Sequence, residues 1–240
     1  RGRLPGMAPG IATAVTVLHG RPVETLAAQA VTGGYDLIVM TTHGRSGVSR
    51  AWLGSVADGL MRSTLTPVLL LRDTSAAAPP EGVEPFANVL IPLDGGAVSE
   101  QIIPQAVAIA GRAATFHLLH VLVPSRWLPP PSAFEVVMAG ATGPGDAEDQ
   151  LAAERDAAVR RLGAVAQQWR AQGVQIETHL PVHQSPAEAI LAYAQERGVS
   201  LIAMTSHGRS GAGRLMLGSV ADKVVRGANV PVLVQVPTPG

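Results

Sequence analysis

Thr205-Ser-His-Gly-Arg-Ser-Gly211, continued at Leu217-Gly-Ser-Val-Ala-Asp222, has an upstream copy in Thr41-Thr-His-Gly-Arg-Ser-Gly47 and Leu53-Gly-Ser-Val-Ala-Asp58. The copies align without a gap at an offset of 164 positions. Between Pro22–Leu71 and Pro186–Gln235, 25 of 50 positions are identical, and 13 of them fall within the 18 positions of Thr41–Asp58. The repeat is therefore an architectural unit whose best-kept part is a glycine-rich loop. Packing alone does not explain a loop kept more strictly than the apolar elements around it; a bound phosphate does.

The second unit is complete, from about Ala87 to Val236, the size of an ordinary domain. The first covers only about Ile11 to Arg72, because Arg1–Gly10 has no match to Asn88–Val123. It reads as the back half of a domain. The expected organisation is a partial domain at 1–73, a Pro/Ala-rich linker at 74–86 and a complete domain at 87–240. Pro124–Gln150 is a second Pro/Gly/Ala-rich stretch, read as a long excursion with a short helix at Ala133–Ala139.

Strand and helix alternate through the complete unit. Asn88–Leu93, Thr115–Val123, Val174–Leu180, Leu201–Thr205 and Val230–Val236 are apolar runs with little polar alternation, as parallel strands covered on both faces require. Between them, Ser99–Ala110 carries Ile102, Ile103, Ala106, Ile109 and Ala110 at helical spacing, and Ala147–Gln172 carries Leu151, Leu162, Val165, Ala166 and Trp169. Ser185-Pro-Ala-Glu188 has the form of a capping box opening a third helix, and Ser219–Arg226 is a fourth. The fold class is α/β, a doubly wound, five-stranded parallel sheet repeated in tandem. Ligands on such sheets bind beyond the strand carboxyl ends where strand order reverses. Asp94 and the Gly208 loop follow the first and fourth strands, so both face that place.

The loop itself is built for an anion. Gly208, Gly211 and Gly213 let main chain approach closely, and Gly218-Ser219 opens a helix whose first N–H groups have no intrahelical partner. Those donors and the positive helix end suit phosphate oxygens, with Arg209 and Arg214 as neutralising cations. Ser219 can cap the helix or bond a phosphate, and Ser219-x-x-Asp222 is itself close to a capping box. Lys223 is the only lysine among 18 basic residues, so no loop here is a lysine-dependent phosphate loop.

With these motifs in view the chain resembles a tandem universal stress protein. The family's Gly-x2-Gly-x9-Gly-[Ser/Thr] signature appears as Thr205-x2-Gly208-x9-Gly218-Ser219 and as Thr41-x2-Gly44-x9-Gly54-Ser55, with Thr for the first Gly in both. Ile91-Pro-Leu-Asp94 and Leu119-His-Val121 match two further family positions. The resemblance implies a Rossmann-like fold of the adenine nucleotide alpha hydrolase type, with strand order 3-2-1-4-5. It implies ATP, or a related adenine nucleotide, as ligand, with Mg2+ as the companion ion in the case of ATP. Asp94 would accept hydrogen bonds from ribose or adenine, Pro92 and Val121 would line the base pocket, and Thr205, Gly208, Arg209, Gly211, Gly218 and Ser219 would hold the phosphates. Gly44, Arg45, Gly54 and Ser55 would form a half site without a partner for Asp94. It also implies an internal pseudo-dimer, or a homodimer, through the fifth strands, here Pro67–Leu71 against Pro231–Gln235.

Composition narrows the function. Acidic and basic residues balance at 18 each and aromatics make up 3%, which disfavours nucleic acid as a partner. Cysteine is absent, excluding disulfides and thiolate catalysis. No apolar run is long enough to span a bilayer, and a cytoplasmic location is expected. His43 and His207 have no adjacent carboxylate to orient them and read as loop-structuring residues. His179 and His183 straddle a strand end and do not read as a metal pair. Trp52, Trp127 and Trp169 read as packing or loop residues. The leading expectation is a nucleotide-binding stress sensor or regulator, not an efficient enzyme. The rivals are a slow ATPase or adenylyl-transferring enzyme and a nucleotide-free dimerisation module.

Overall fold

The computed structural model describes residues 12–41, 53–72, 85–124, 146–206 and 217–238. The Ala133–Ala139 helix, the 74–84 part of the linker, both Trp52 and Trp127, and the loop residues His43, Gly44, Arg45, His207, Gly208, Arg209, Gly211, Gly213 and Arg214 lie outside them.

In the complete unit, β3 (Asn88–Pro92), β4 (Thr115–Leu119), β5 (Gln175–His179), β6 (Leu201–Thr205) and β7 (Val232–Gln235) pair in parallel, in the order β7-β6-β3-β4-β5. This is the 3-2-1-4-5 order implied by the resemblance. The non-alternating runs follow from two apolar layers. One face packs Leu90, Ile202, Met204 and Val232 beneath α6 (Pro186–Glu196) and α7 (Ser219–Gly227). The other packs Val89, Ile91, Phe116 and Leu201 beneath α4 (Ile103–Ala110) and α5 (Asp146–Arg170). Every residue of β6 is buried, each large apolar side chain contributing about 1.5–3 kcal/mol.

The helix expected over Ser99–Ala110 is divided. A single turn, α3 (Ala97–Glu100), precedes α4, and Pro104 sits at the start of α4. Proline has no N–H for the carbonyl four residues back and its ring crowds that carbonyl, so a helix restarts there more readily than it continues. Neither expected capping box forms through its side chains. α6 has Ser185 and α7 has Gly218 at the N-cap, with no side-chain cap bond in either. Asp222 instead meets Arg226 one turn on, through two contacts of 2.9 and 3.0 Å. Gly227 lets α7 settle against α6, since an added Cβ would stand 2.6 Å from Leu191 Cδ1.

The sheet does not stop at five strands. From the first unit, β1 (Ile38–Thr41) and β2 (Val68–Leu71) pair in parallel, and β2 joins β7 antiparallel, giving one seven-stranded sheet. The seam register is Val68↔Val234, Leu69↔Leu233 and Leu70↔Val232. Leu69 and Leu233 are equivalent at the repeat offset, so the seam is isologous about that pair, as in a twofold dimer. α1 (Pro22–Thr32) packs on α2 (Ser55–Ser63), the counterpart of α7. The repeated ion pairs Asp58–Arg62 and Asp222–Arg226 lie close enough for each arginine to feel the other unit's aspartate. Each arginine is raised above its ordinary pKa, first by the hydrogen bond to its own aspartate and also by the other unit's aspartate.

The part of the first unit equivalent to β5, at 11–15, has no described strand beside it, and residues 12–19 form none. Val15 and Val17 are exposed there. Among the described residues no strand pairs with this segment, and none of residues 12–19 is buried.

Arg72 stitches the units together beyond the strands. Its guanidinium donates to the Val225 carbonyl and, at 2.9 Å, to the Arg226 carbonyl at the end of α7. These bonds satisfy C-terminal carbonyls with a cation. Arg72→Ala is expected to lower stability by about 1.5–3 kcal/mol, the range for hydrogen bonds to a charged group. Urea unfolding followed by circular dichroism measures it, and a change below 0.5 kcal/mol on that scale would show the contact to be idle.

Candidate functional site

β3 is flanked by β4 on one side and β6 on the other, and the chain leaves β3 and β6 in opposite directions across the sheet. A cavity of about 900 Å3 opens beyond their carboxyl ends. Pro92, Asp94, Val121, Thr205, Gly218 and Ser219, six residues singled out from the sequence, all line it. Gly54 and Ser55 occupy the equivalent N-cap and first turn of α2 in the other unit, away from the cavity. Gly44, Arg45, Gly208, Arg209 and Gly211 are outside the described residues.

A tight turn holds Asp94. The Leu93 N–H donates to the Leu119 carbonyl at 2.8 Å, extending the β3–β4 ladder one residue past the strand. Gly95 then takes φ 79°, a left-handed conformation that favours glycine. The Gly96 N–H donates to Asp94 Oδ1 at 2.8 Å, and the buried Ser99 hydroxyl donates to the Gly96 carbonyl at 2.8 Å. The carboxylate is thus oriented by main chain before any ligand arrives. His120 is oriented as well: its Nδ1–H donates to the Leu93 carbonyl at 2.8 Å.

The start of α7 forms another wall. The Gly218 N–H donates to the Ser206 carbonyl at 2.7 Å, tying the helix to the end of β6. Gly218 has φ −60° and ψ 149°, which any residue adopts. Its contribution is therefore the missing side chain, not conformational freedom. Among the described residues no side chain caps α7, and Gly218, Ser219, Val220 and Ala221 line the cavity. A helix end of this kind presents main-chain donors and partial positive charge to the space in front of it.

Apolar surface from Leu119, Val121, Ile190 and Met204 completes much of the wall. α5 adds Glu154, Ala157, Ala158 and Arg161, with the Arg161 guanidinium held by Glu100 at 2.7 and 2.9 Å. An apolar pocket with a few oriented polar groups is the usual form of a small-molecule site.

Several lining residues escape the sequence reading. His120 stands between two residues of a quoted motif, and Ser206 directly follows Thr205. Glu154, Ala157, Ala158 and Arg161 follow i, i+3, i+4, i+7 spacing, a helical stripe beside the apolar face of α5. That stripe was visible in the sequence, but nothing in it indicated a cavity. Among the described residues His183 does not join His179: its Nδ1 lies 2.9 Å from the Ser185 carbonyl and 3.0 Å from the Ser185 nitrogen.

Comparison with known proteins gives a consistent picture. The family model described as Universal stress protein family matches residues 7–72 and 85–237. The universal stress protein Rv2005c of Mycobacterium tuberculosis is 30% identical over 219 residues, covering 91% of this chain and 67% of that protein. Universal stress protein MJ0531 of Methanocaldococcus jannaschii is 30% identical over 152 residues, covering 62% of this chain and 81% of its own. Among solved structures, a universal stress protein from Archaeoglobus fulgidus superposes with a TM-score of 0.55 at 22% identity, over 90% of this chain and 65% of that one. That similarity concerns the fold alone.

Proposed function

The chain belongs to the universal stress protein family, and from that premise and the shape of the cavity we propose that it binds an adenine nucleotide, ATP with Mg2+, in the 87–240 unit. It would act there as a nucleotide-dependent sensor or regulator of a cytoplasmic stress response. The observation that carries this reading is the start of α7, uncapped by any side chain among the described residues, sharing one cavity with the oriented Asp94 carboxylate.

The residues fit the ligand. The cavity lies within the size range of sites for cofactor-sized molecules. Asp94 would accept hydrogen bonds from ribose or adenine, and Pro92 and Val121 would shield one face of the base. The Ser219, Val220 and Ala221 amides, with the Ser219 hydroxyl, would bind phosphate oxygens through charge-assisted hydrogen bonds. Thr205 would close the phosphate side, continued by Gly208, Arg209 and Gly211. Gly54 and Ser55, with Gly44 and Arg45, would form at most an anion half site.

This reading expects slow turnover. Nothing in the described lining supplies a lysine to the phosphates, and His120 spends its Nδ1–H on the Leu93 carbonyl. Native mass spectrometry of freshly purified protein tests it: co-purified ATP is expected, whereas an empty pocket that stays empty at millimolar ATP defeats the proposal. Rapid conversion to ADP or AMP would favour an enzyme on the same fold. Asp94→Asn keeps an oxygen for the Gly96 turn but removes the negative charge. It is expected to weaken ATP binding about tenfold, the difference between charged and neutral hydrogen bonds. Isothermal titration calorimetry measures this, and unchanged affinity would remove Asp94 from the site.

A further inference from the structure

We propose that His117, Glu177 and His179 form a divalent-metal site of the zinc class, outside the nucleotide cavity. His117 in β4 is the direct register partner of Glu177 in the parallel edge strand β5. His179 lies two residues beyond Glu177, and so on the same side of the sheet. The three side chains offer ligand atoms that all lie within 4.8 Å of one another.

The spacing suits an ion of this size. Glu177 Oε2 is 3.4 Å from His117 Nδ1 and 3.4 Å from His179 Nε2. Atoms bound tetrahedrally at about 2.1 Å stand about 3.4 Å apart. Two of the three edges are therefore already near that length. The remaining His–His edge, within 4.8 Å, closes by side-chain rotation of His179, and Glu177, the more exposed member at 51%, is free to follow the ion.

The cluster is poorly explained without an ion. His179 Nε2, the ring nitrogen beside Glu177, is buried with no hydrogen-bond partner among the described residues, and an ion would give it one; His117 Nε2 is also unpartnered, and an ion on Nδ1 leaves it so. Leaving such a group unpaired is costly. Tyr193 of α6 packs edge-on to His117 and tilted against His179, its hydroxyl 3.1 Å from His117 Nδ1. The phenol would yield Nδ1 to the metal and leave the fourth position to water.

Two imidazoles and one carboxylate with an open position suit Zn2+ or Co2+ over Mg2+ or Ca2+, which prefer oxygen. The ion would clamp the β4–β5 edge beneath α6, the helix whose first half supplies Pro186 and Ile190 to the cavity.

The test uses the full chain, stripped with chelator and titrated with Zn2+ in the absence of nucleotide. One equivalent should bind saturably, and a hundredfold excess over Kd should raise Tm by about 5 °C or more. Glu177→Gln and His179→Gln, both at partly exposed side chains, should each weaken Zn2+ binding at least tenfold while keeping the metal-free Tm. Co2+ should give the visible bands of a tetrahedral site in the wild type and lose them in both variants. Absence of one-to-one binding, or wild-type affinity kept in either variant, overturns the proposal. The second result would place the ion on other histidines.

Discussion

Gly218→Val is expected to weaken ATP binding at least 100-fold while leaving the fold in place. The backbone at Gly218 is extended, with φ −60° and ψ 149°, so valine is accommodated without strain. What valine adds is bulk directly in front of the helix end. Phosphate oxygens would be pushed beyond hydrogen-bond reach of the Ser219, Val220 and Ala221 amides. Each charge-assisted bond is worth about 1.5–3 kcal/mol, and two lost bonds already exceed the ~2.7 kcal/mol that a hundredfold change represents. Replacing an N-cap glycine by a β-branched residue costs about 1 kcal/mol of stability, small beside the effect on binding. Ser219→Ala is the companion variant. Since the Ser219 hydroxyl does not cap α7, its removal should spare stability and weaken binding about tenfold or less, by one hydrogen bond. Calorimetry with ATP, with circular dichroism for the fold, distinguishes the two effects. Wild-type affinity in Gly218→Val would move the phosphates elsewhere.

Excising the first unit should turn the remaining 85–240 fragment into a homodimer. In the intact chain β7 is covered by β2, with Leu69 opposite Leu233 at the centre of the seam. Without β2, the main-chain donors and acceptors of β7 become an open edge beside the fully buried Leu233 and Val232. A second copy can satisfy it in the same register. The seam is already isologous between two sequences alike at Val68/Val232 and Leu69/Leu233, so Leu233 would face its own copy across a true twofold. Sedimentation or light scattering of the fragment at micromolar concentration should give twice the fragment mass. Leu233→Ala in the intact chain should cost about 2–5 kcal/mol, as expected for a leucine deleted from a packed centre. A well-folded fragment that stays monomeric when concentrated would show that β7 does not need a partner strand.

Much of the fold was legible because its signals are local. Leu201–Thr205 reads as a doubly covered strand from composition alone, and α5 from the spacing of Leu162, Val165 and Ala166. The divided helix at Pro104 was equally available: the proline stood in the sequence, but the apolar period on both sides of it outweighed it. The capping boxes failed for a different reason. Ser185 and Ser219 carry the expected residue types, yet capping depends on the side-chain rotamer. At Ser219, moreover, the N-cap falls one residue earlier, on Gly218. That shift leaves the α7 amides open toward the cavity.

The candidate site divides in the same way. Pro92, Asp94, Val121, Thr205, Gly218 and Ser219 belong to short motifs with fixed spacing, and all six meet at one cavity. Glu154 and Arg161 stand more than thirty residues past the end of β4, and no local pattern carries that distance. His117 and Glu177 are sixty positions apart and adjacent only through the β4–β5 register.

The sequence by itself determined the repeat, the alternation of strand and helix, the glycine-rich turn and the unpartnered amides of a helix start, because each depends on residues within a few turns of one another. Only the tertiary structure decided that β2 and β7 merge two units into one sheet, that α5 walls the cavity, and that two histidines and a glutamate converge at the sheet edge. Those outcomes depend on strand register and helix placement, which the burial of both faces of the sheet selects for the chain as a whole.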